Sequence, residues 1–400
     1  MPAIKLSDTV YSVGVQNPDL RIFDIVMRTE FGTTYNSFLI RREKTILVET
    51  SHHNKFEKYL DNIKEVCDPA EIDYIILNHT EPDHSGALAQ LMECCPKAKI
   101  LCSQSAAIYL KNITNCCCKQ IQVVKNGDSL DIGGAELSFI TAPFLHWPDS
   151  MFTYYPAESA VFTCDFLGSH YCCPDIMDSK IDSEENYKSA CKNYYDAIFG
   201  PFPAYVRAGL EKFEALNAST AYTSHGPVLT TDHLLPYVLE QYKLWSAPKV
   251  HEKPLIPIFY VSAYGNTEAL GRSIAEGIHS VLDADVPLYN IIEHPMEKLA
   301  AQLNESDAFL IGSPTLNKDA VAPVWQLLAH VDAINLAKRP CAVFGSFGWS
   351  GEAAANIEQR LSSLKAAVFE NNYRIHFVPS KEELAGAVSF GAEFAASLKQ

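Results

Sequence analysis

The sequence lacks several features that mark common classes of protein. No stretch of its 400 residues reaches the roughly 18 consecutive apolar residues of a membrane-spanning helix. The N-terminus has no basic segment followed by an apolar one, so we expect no secretion signal. Basic side chains are scarce, with 32 Lys and Arg against 48 Asp and Glu, and the net charge of −16 disfavours binding to nucleic acid or anionic membranes.

The chain has twelve cysteines but no C-x-x-C pair, so zinc-ribbon, rubredoxin-type and thioredoxin-type sites have no support. The usual spacings of iron–sulfur ligands are also missing. Neighbouring cysteines such as Cys94-Cys95 and Cys116-Cys117-Cys118 seldom pair with each other. We therefore expect reduced thiols in a cytoplasmic protein.

The length exceeds that of most single domains, and the pattern of apolar residues changes near residue 250. Residues 1–250 begin with short apolar runs that predict strands, including one at 21–27. Helices follow, among them one at 184–199. Runs of strands with helices attached predict an α+β layered sandwich. A polar segment with a proline near each end, residues 247–254, indicates a linker. Residues 255–400 contain five βα units, which predict an α/β doubly wound parallel sheet in the order 2-1-3-4-5.

Three loops in the second domain are candidates for binding a ligand. The first follows a predicted strand and opens a helix, where backbone N–H groups and hydroxyls can wrap a phosphate. It lacks the lysine of the P-loop of nucleoside triphosphatases, and it does not have the G-x-G-x-x-G pattern. Because the ends of parallel strands meet at one edge, a phosphate loop beside two loops with apolar and aromatic members favours FMN. The candidate residues are Ser262, Tyr264, Gly265, Asn266 and Thr267; Ser313, Pro314, Thr315, Leu316 and Asn317; and Ser346, Phe347, Gly348, Trp349 and Gly351.

The S-x-x-G-N-T pattern of the first loop resembles the phosphate loop of flavodoxins. This resemblance covers residues 255–400 and implies a flavodoxin-like domain that binds FMN.

In the first domain, the motif H-x-E-x-D-H places His79, Glu81, Asp83 and His84 directly after a predicted buried strand. In an extended segment alternate residues point the same way, so the first three of these side chains can converge, with a helix beginning at about Ser85. Three further candidates stand after other strands: His146, Asp165 and His225. Burying three carboxylates together without a cation would cost several kcal/mol each, so the pattern predicts a metal site.

Residues 1–250 resemble the metallo-β-lactamase fold, an αββα sandwich, whose hydrolases carry H-x-H-x-D-H. Glu81 stands where those hydrolases have a histidine. An additional carboxylate makes the donor set harder and more negative, which favours iron over zinc. Glu81, Asp83 and Asp165 together carry three negative charges, close to the four positive charges of two ferrous ions.

The two domains in this order resemble the flavodiiron proteins, also called A-type flavoproteins. The resemblance implies FMN and two non-haem irons per chain, and reduction of O2 to water, of NO to N2O, or both. It further implies that His79, Glu81 and His146 bind one iron, that Asp83, His84 and His225 bind the other, and that Asp165 bridges them. We also expect a head-to-tail homodimer, or a dimer of such dimers, in which the flavin of one chain meets the irons of the other. No rubredoxin module follows residue 400, so we expect a separate electron donor: rubredoxin, another small carrier or a reduced deazaflavin.

The resemblance also suggests roles near the cofactors. Tyr195 resembles a tyrosine that hydrogen-bonds near the substrate, Trp147 would line the substrate pocket, and Trp349 would flank the flavin. Many members of the family carry a histidine shortly before the segment Gly-Thr-Thr-Tyr-Asn, which here is Gly32 to Asn36; the neighbourhood 24–27 has none. We therefore expect one proton-donating group to be missing.

Two alternatives remain open. One is a zinc hydrolase of the metallo-β-lactamase fold with a fused flavodoxin module, against which Glu81 and the FMN loops argue. The other is an electron-transfer or redox-sensing protein whose metal site has no catalytic activity.

Overall fold

The computed structural model describes residues 2–115, 120–248 and 250–399. The chain divides into two units, Met1–Ala247 and Pro248–Gln400. The nine cysteines in the described ranges form no disulfide, whereas Cys116, Cys117 and Cys118, also expected as free thiols, lie outside these ranges. No helix in the described ranges is both long and apolar enough to cross a membrane.

The first unit is built from short strands and seven α-helices within the described residues. Its strands are β1 (Ile4–Lys5), β2 (Val10–Ser12), β3 (Val15–Asn17), β4 (Ile22–Phe23), β5 (Met27–Arg28), β6 (Thr33–Tyr35), β7 (Phe38–Arg41), β8 (Thr45–Val48), β9 (Ile72–Leu77), β10 (Lys99–Cys102), β11 (Ile121–Val123), β12 (Ser129–Asp131), β13 (Glu136–Thr141), β14 (Met151–Tyr155), β15 (Ala160–Cys164), β16 (Thr220–Thr223) and β17 (Leu229–Thr230). Its helices are α1 (Phe56–Lys64), α2 (Pro82–Ser85), α3 (Leu88–Cys94), α4 (Gln104–Ile113), α5 (Glu184–Tyr194), α6 (Pro203–Ala215) and α7 (Leu235–Ser246).

Two sheets pack face to face in this unit. One has the order β1-β2-β7-β8-β9-β10-β11 and the other runs β12-β13-β14-β15-β16-β17. Phe38 and Ile40 of β7 join the apolar core that also holds Phe139 and Phe162 of the second sheet, while Leu39 belongs to the core shared with α1, α3 and α4. This alternation along the strand buries both faces of the first sheet. Helices α5, α6 and α7 cover the second sheet. The structure confirms the predicted αββα sandwich.

Three local predictions were wrong in detail. Residues 21–27 form the two-stranded hairpin β4–β5 rather than one strand, with Asp24 and Ile25 at positive φ in its turn. The helix expected at about Ser85 begins at Pro82, because proline at the first helical position loses no hydrogen bond. The helix predicted for residues 184–199 ends as α5 at Tyr194, and a π-helical turn continues it over Tyr195–Phe199.

The second unit alternates strands with helices. Its strands are β18 (Ile258–Tyr260), β19 (Leu288–Asn290), β20 (Phe309–Leu316), β21 (Asp319–Ala320), β22 (Pro340–Phe347), β23 (Ala367–Val368) and β24 (Tyr373–His376). Its helices are α8 (Asn266–Val281), α9 (Met296–Glu305), α10 (Ala322–Ala329), α11 (Ala333–Leu336), α12 (Glu352–Ser363) and α13 (Lys381–Ser397). The sheet has the order β19-β18-β20-β22, and both β23 and β24 pair in parallel with β22. This confirms the predicted doubly wound sheet, which carries an apolar core on each face.

Candidate metal centre and flavin loops

The predicted metal ligands all lie at the end of the sandwich where strands β9, β15 and β16 finish. Strands β15 and β16 are parallel, so the residues that follow them, Asp165 and His225, emerge at the same edge. The ligand atoms of one group of four residues lie within 4.8 Å of one another, and so do those of a second group of three. The first group is His79, Glu81, His146 and Asp165; the second is Asp83, His84 and His225. The structure thus brings together all seven predicted residues.

Asp165 lies between the two groups. Its Oδ2 atom is 3.6 Å from His79 Nε2 and 3.4 Å from His146 Nε2. Its Oδ1 atom is 3.0 Å from His84 Nε2 and 3.5 Å from His225 Nε2. Each carboxylate oxygen therefore faces a different group, which is the arrangement a bridging ligand needs.

The chemistry of this cluster fits two cations. Both carboxylate oxygens of Asp83 and Asp165 are buried, and in the described structure they lie near imidazole nitrogens without a well-formed hydrogen bond. Buried polar atoms without partners are rare and costly, and a bound cation would satisfy all of them. Three carboxylates beside four imidazoles also form a harder donor set than a cluster of histidines alone, which suits iron.

The titration of the cluster without metal supports the same conclusion. Burial disfavours the charged form of His84, but Asp83 and Asp165 outweigh it and raise the pKa of this histidine to about 10. Burial likewise opposes ionisation of Glu81, yet hydrogen bonds from His146 and His79 hold the pKa of its carboxyl below the ordinary value. A cation that binds here must displace the proton on His84, so its binding releases protons.

A third group that includes Cys164, with His84 and Asp165, also has metal-ligand distances. Burial raises the pKa of the Cys164 thiol well above its ordinary value. Because the thiolate is the form that binds metals, this cysteine is a poor ligand beside the carboxylates.

Asp149, which was not among the residues predicted from the sequence, holds His79 in position. His79 donates from Nδ1 to Asp149 Oδ1 at 3.1 Å, which leaves the Nε2 lone pair facing the cluster. The other oxygen, Oδ2, accepts from the backbone N–H and the hydroxyl of Thr80 at 2.8 and 2.6 Å. The only signal in the sequence is that Asp149 follows His146 by three residues.

We expect Asp149→Asn to weaken metal binding about 10–100-fold, because residues that orient a metal-bound histidine typically contribute that much. Asp178→Asn is the matched control, since Asp178 is a buried carboxylate that also accepts from a backbone N–H and a hydroxyl, those of Thr230, and contacts no ligand. Metal retention in a series of chelator concentrations measures the difference. Equal retention by the two variants would contradict the role of Asp149.

The segment Gly-Thr-Thr-Tyr-Asn holds His225. His225 donates from Nδ1 to the carbonyl oxygen of Thr34 at 2.5 Å, so its Nε2 lone pair also faces the cluster. Thr34 Oγ1 accepts from the backbone N–H of Gly226 at 2.8 Å, and the Asn36 amide donates to the carbonyl oxygens of Thr223 and Gly226. The segment therefore fixes the loop that carries this histidine.

Asp24 lies in the turn of hairpin β4–β5. Burial raises the pKa of its carboxyl to about 6, and a hydrogen bond with Glu81 and the charge of Asp83 act in the same direction. The neighbourhood 24–27 thus has a carboxyl group but no histidine, and the expected loss of a proton-donating group stays a prediction.

The two neighbouring tyrosines after α5 differ in their surroundings. The ring of Tyr194 lies 4.9 Å from that of His170 and 6.0 Å from that of His225. The ring of Tyr195 instead lies 5.0 Å from that of Trp245, and its hydroxyl has no hydrogen-bond partner in the described structure. The structure does not bring Tyr195 to the cluster and favours Tyr194 for contact with it, because adjacent residues on a helix point in different directions.

Trp147 does lie beside the cluster. Its ring is 5.0 Å from that of His79 and 6.2 Å from that of His146. Its predicted role in lining a substrate pocket stays a prediction.

The three predicted flavin loops lie at one edge of the second unit. Strands β18, β20 and β22 are neighbours, with Tyr260 opposite Gly312 and Pro314 opposite Ser346. The hydroxyls of Thr267 and Ser346 are 2.9 Å apart, so the first and third loops touch. Thr315 and Leu316 belong to β20, and Asn317 is in the turn that joins it to β21.

This edge fits a phosphate that carries a flat ring. Gly265 caps α8 at φ +83°, a conformation that favours glycine, and nothing lies within 4 Å of the position a Cβ would take. The first N–H groups of α8 and the hydroxyls of Ser262 and Thr267 can therefore surround an anion. Tyr264 and Trp349 are 91% and 98% exposed, so two aromatic rings are available to flank a flavin.

Comparisons with known proteins cover both units. Residues 33–226 match the family described as ODP family beta lactamase, and residues 258–391 match the flavodoxin family. The chain is 50% identical over 400 residues to the flavo-diiron protein FprA2 of Clostridium acetobutylicum, and the match covers 100% of both chains. It is 34% identical over 367 residues to the anaerobic nitric oxide reductase flavorubredoxin of Vibrio vulnificus, covering 90% of this chain and 73% of that protein. The structure of rubredoxin oxygen:oxidoreductase from Desulfovibrio gigas has a TM-score of 0.69 at 26% identity, covering 99% of this chain and 98% of that one.

Proposed function

This chain belongs to the flavodiiron proteins, and from that premise we propose that it reduces O2 to water, NO to N2O, or both, at a two-iron centre supplied with electrons through FMN. One observation carries the proposal: the two oxygens of Asp165 face two separate groups of buried ligands in a chain that also carries FMN loops. When bound, the two ferrous ions supply one electron each, and FMN hydroquinone supplies two. Their sum matches the four electrons that reduction of O2 to water requires.

The relatives support both substrates. One relative is named an anaerobic nitric oxide reductase, and a solved structure of the same architecture is named a rubredoxin oxygen:oxidoreductase. Two adjacent binding positions can hold O2, or two molecules of NO, side by side, which makes a reaction of several molecules intramolecular.

The residues of the chain would divide the work as follows. His79, Glu81 and His146 would bind one iron, Asp83, His84 and His225 the other, and Asp165 both. Asp149 and the carbonyl of Thr34 keep the Nδ1 protons of His79 and His225 in place, so that each Nε2 lone pair points at a metal. Trp147 would exclude water on the side of His79.

The FMN loops would hold the flavin through Ser262, Gly265, Asn266 and Thr267 at the phosphate. Trp349 would flank the flavin ring, and residues of the loops at the ends of β20 and β22 would contact the cofactor.

The test of this function compares iron-loaded and zinc-loaded protein after anaerobic reduction. We expect the iron-loaded protein to consume O2 or NO in proportion to the electrons it holds, and the zinc-loaded protein to consume neither at that rate. A protein that isolates with two zinc ions and hydrolyses esters or thioesters would support the zinc-hydrolase alternative. Reduced iron-loaded protein that consumes neither gas would support a pure electron-transfer role.

The electron donor and the assembly are part of the proposal. A separate donor, a rubredoxin, another small carrier or a reduced deazaflavin, would reduce the FMN in the cytoplasm. A head-to-tail homodimer, or a dimer of such dimers, would bring the flavin of one chain to the irons of the other. Exposed apolar residues on both units support a second copy as the partner: Ile25 is 93% and Val26 is 85% exposed beside Asp24, and Tyr264 and Trp349 are exposed at the flavin loops.

If this dimer forms, we expect Ile25→Asp to raise the monomer fraction, because a charge would be buried in the interface. Leu244→Asp provides the control, since it changes an equally apolar exposed side chain on α7. Sedimentation velocity measures both variants. Unchanged sedimentation of Ile25→Asp would count against this interface.

A further inference from the structure

A column of aromatic side chains leads from the metal cluster to the surface of the first unit. The ring of His146 lies 6.3 Å from that of Phe199, which lies 5.8 Å from that of Tyr242. Tyr242 in turn lies 6.0 Å from Trp245, and Tyr195 packs 5.0 Å from each of these two rings. We call Phe199, Tyr242, Tyr195 and Trp245 the aromatic column. It begins at a predicted iron ligand and ends at an indole that is only half-buried.

Packing alone does not account for the residue types in this column. The hydroxyls of Tyr195 and Tyr242 are buried and have no hydrogen-bond partner in the described structure. Phenylalanine would fill the same space without the cost of burying an unpaired hydroxyl. A phenol ring, however, gives up an electron far more easily than a phenyl ring does. The hydroxyls therefore favour electron transfer rather than stability.

The backbone also departs from regular geometry at this point. Residues Tyr195–Phe199 form a π-helical turn, closed by the N–H of Gly200 donating to the carbonyl of Tyr195 at 2.7 Å. Such turns are rare and occur often at functional sites. This turn carries two members of the aromatic column, Tyr195 and Phe199.

We propose that the aromatic column supplies electrons from Trp245 to the metal centre when the flavin does not deliver them. The inference rests on the proposed function, because O2 reacting at the centre is the oxidant. Trp245 loses one electron and the metal centre gains it, so the centre holds one oxidising equivalent fewer. The indole proton leaves to solvent. A cellular thiol then gives a hydrogen atom to the neutral indole radical, which restores tryptophan and leaves a thiyl radical. The rings of Tyr242 and Tyr195 carry the electron, and their hydroxyl protons stay in place.

The surface end of the column is electrically balanced. Lys192 Nζ lies 5.4 Å from the centre of the Trp245 ring, and a lone cation there would oppose loss of an electron. Asp196 Oδ1 accepts from the same Nζ at 2.6 Å, so the ammonium charge is offset. Oxidation of Trp245 therefore does not have to work against a net charge.

The test maps oxidised tryptophan by peptide mass spectrometry. Iron-loaded protein is given too few electrons to reduce all of its irons and FMN, freed of excess reductant and exposed to O2 in the presence of catalase, while O2 consumption is recorded. We expect oxygen adducts at Trp245 but not at Trp325, which is half-buried to a similar degree in the second unit and lies outside the column. Zinc-loaded protein is expected to show neither adduct.

Two variants separate the column from ordinary core packing. Phe199→Leu breaks the contact between His146 and Tyr242, and Phe213→Leu makes the same change in the same core without breaking a ring contact of the column. We expect Phe199→Leu to reduce Trp245 oxidation to the level of the zinc-loaded protein, and Phe213→Leu to leave it unchanged.

The outcomes distinguish this inference from the proposed function. If O2 is consumed and Trp245 is oxidised no more than Trp325, the column has no such role while the reductase function stands. Equal oxidation of Trp245 in iron-loaded and zinc-loaded protein would also show that the column does not carry electrons. This comparison uses the unmutated protein, so it stands even if both variants fail to fold. If NO but not O2 is consumed, the column fails for want of its oxidant while the reductase function stands. If neither gas is consumed, the proposed function fails and the column fails with it.

Discussion

Asp165→Asn is expected to abolish the two-metal centre. Each oxygen of Asp165 faces one of the two ligand groups, so an amide, which is neutral and a weaker donor, cannot hold both metals. Replacing a residue that only orients a ligand typically costs about 10–100-fold in metal affinity, and loss of a shared ligand should cost more. Metal analysis after gel filtration should show fewer than two irons per chain. Consumption of O2 and NO should fall together with the iron content.

Asp178→Asn again provides the control, because Asp178 is as deeply buried as Asp165 and touches no predicted ligand. It should lose stability without losing iron. Asp165→Asn protein that keeps both irons and its activity would show that the cluster has a different bridge.

Glu81→His is expected to change the preferred metal from iron to zinc. The substitution restores the H-x-H-x-D-H pattern and removes one of three carboxylates from the cluster, so the donor set becomes softer and less negative. Glu81 Oε2 lies 3.1 Å from His146 Nε2 and 3.3 Å from His79 Nε2, which shows that it belongs to the first ligand group. Protein produced with both metals available should carry mainly zinc and should lose gas consumption.

Glu93→His, on the exposed face of α3, is the matched control for this change. It should leave the metal content as it is. If Glu81→His protein still binds iron in preference to zinc, the argument from the hardness of the donor set is wrong.

The fold could be predicted from the sequence because the signals in it are local and repeated. The alternating βα units of the second domain predicted the strand order, and the change in pattern near residue 250 predicted two domains. Four of the metal ligands are found within six positions of the sequence, so their proximity needed no knowledge of the fold. His146, Asp165 and His225 are far apart in the sequence. Only the resemblance to a family joined them to the motif, and the structure now places them there.

What the sequence did not predict depends on single-residue changes in backbone path. Tyr194, and not its neighbour Tyr195, contacts the rings of His170 and His225, because adjacent helical residues point in different directions. The turn of hairpin β4–β5 interrupts residues 21–27, although periodicity predicted a continuous strand. Asp149 reaches His79 across 70 positions of sequence, and no local pattern encodes that contact. Such contacts arise from tertiary packing, which cannot be predicted from the secondary-structure propensities and motif spacing of the sequence.

The most direct test of the central claim is rapid mixing of fully reduced, iron-loaded protein with O2 or NO, followed by absorption of the flavin and analysis of the products. The account predicts that flavin and irons are oxidised together, that each chain reduces a single O2 to water without releasing peroxide, and that NO yields N2O if it is the preferred substrate. Fully reduced protein whose flavin stays reduced in the presence of both gases would contradict it.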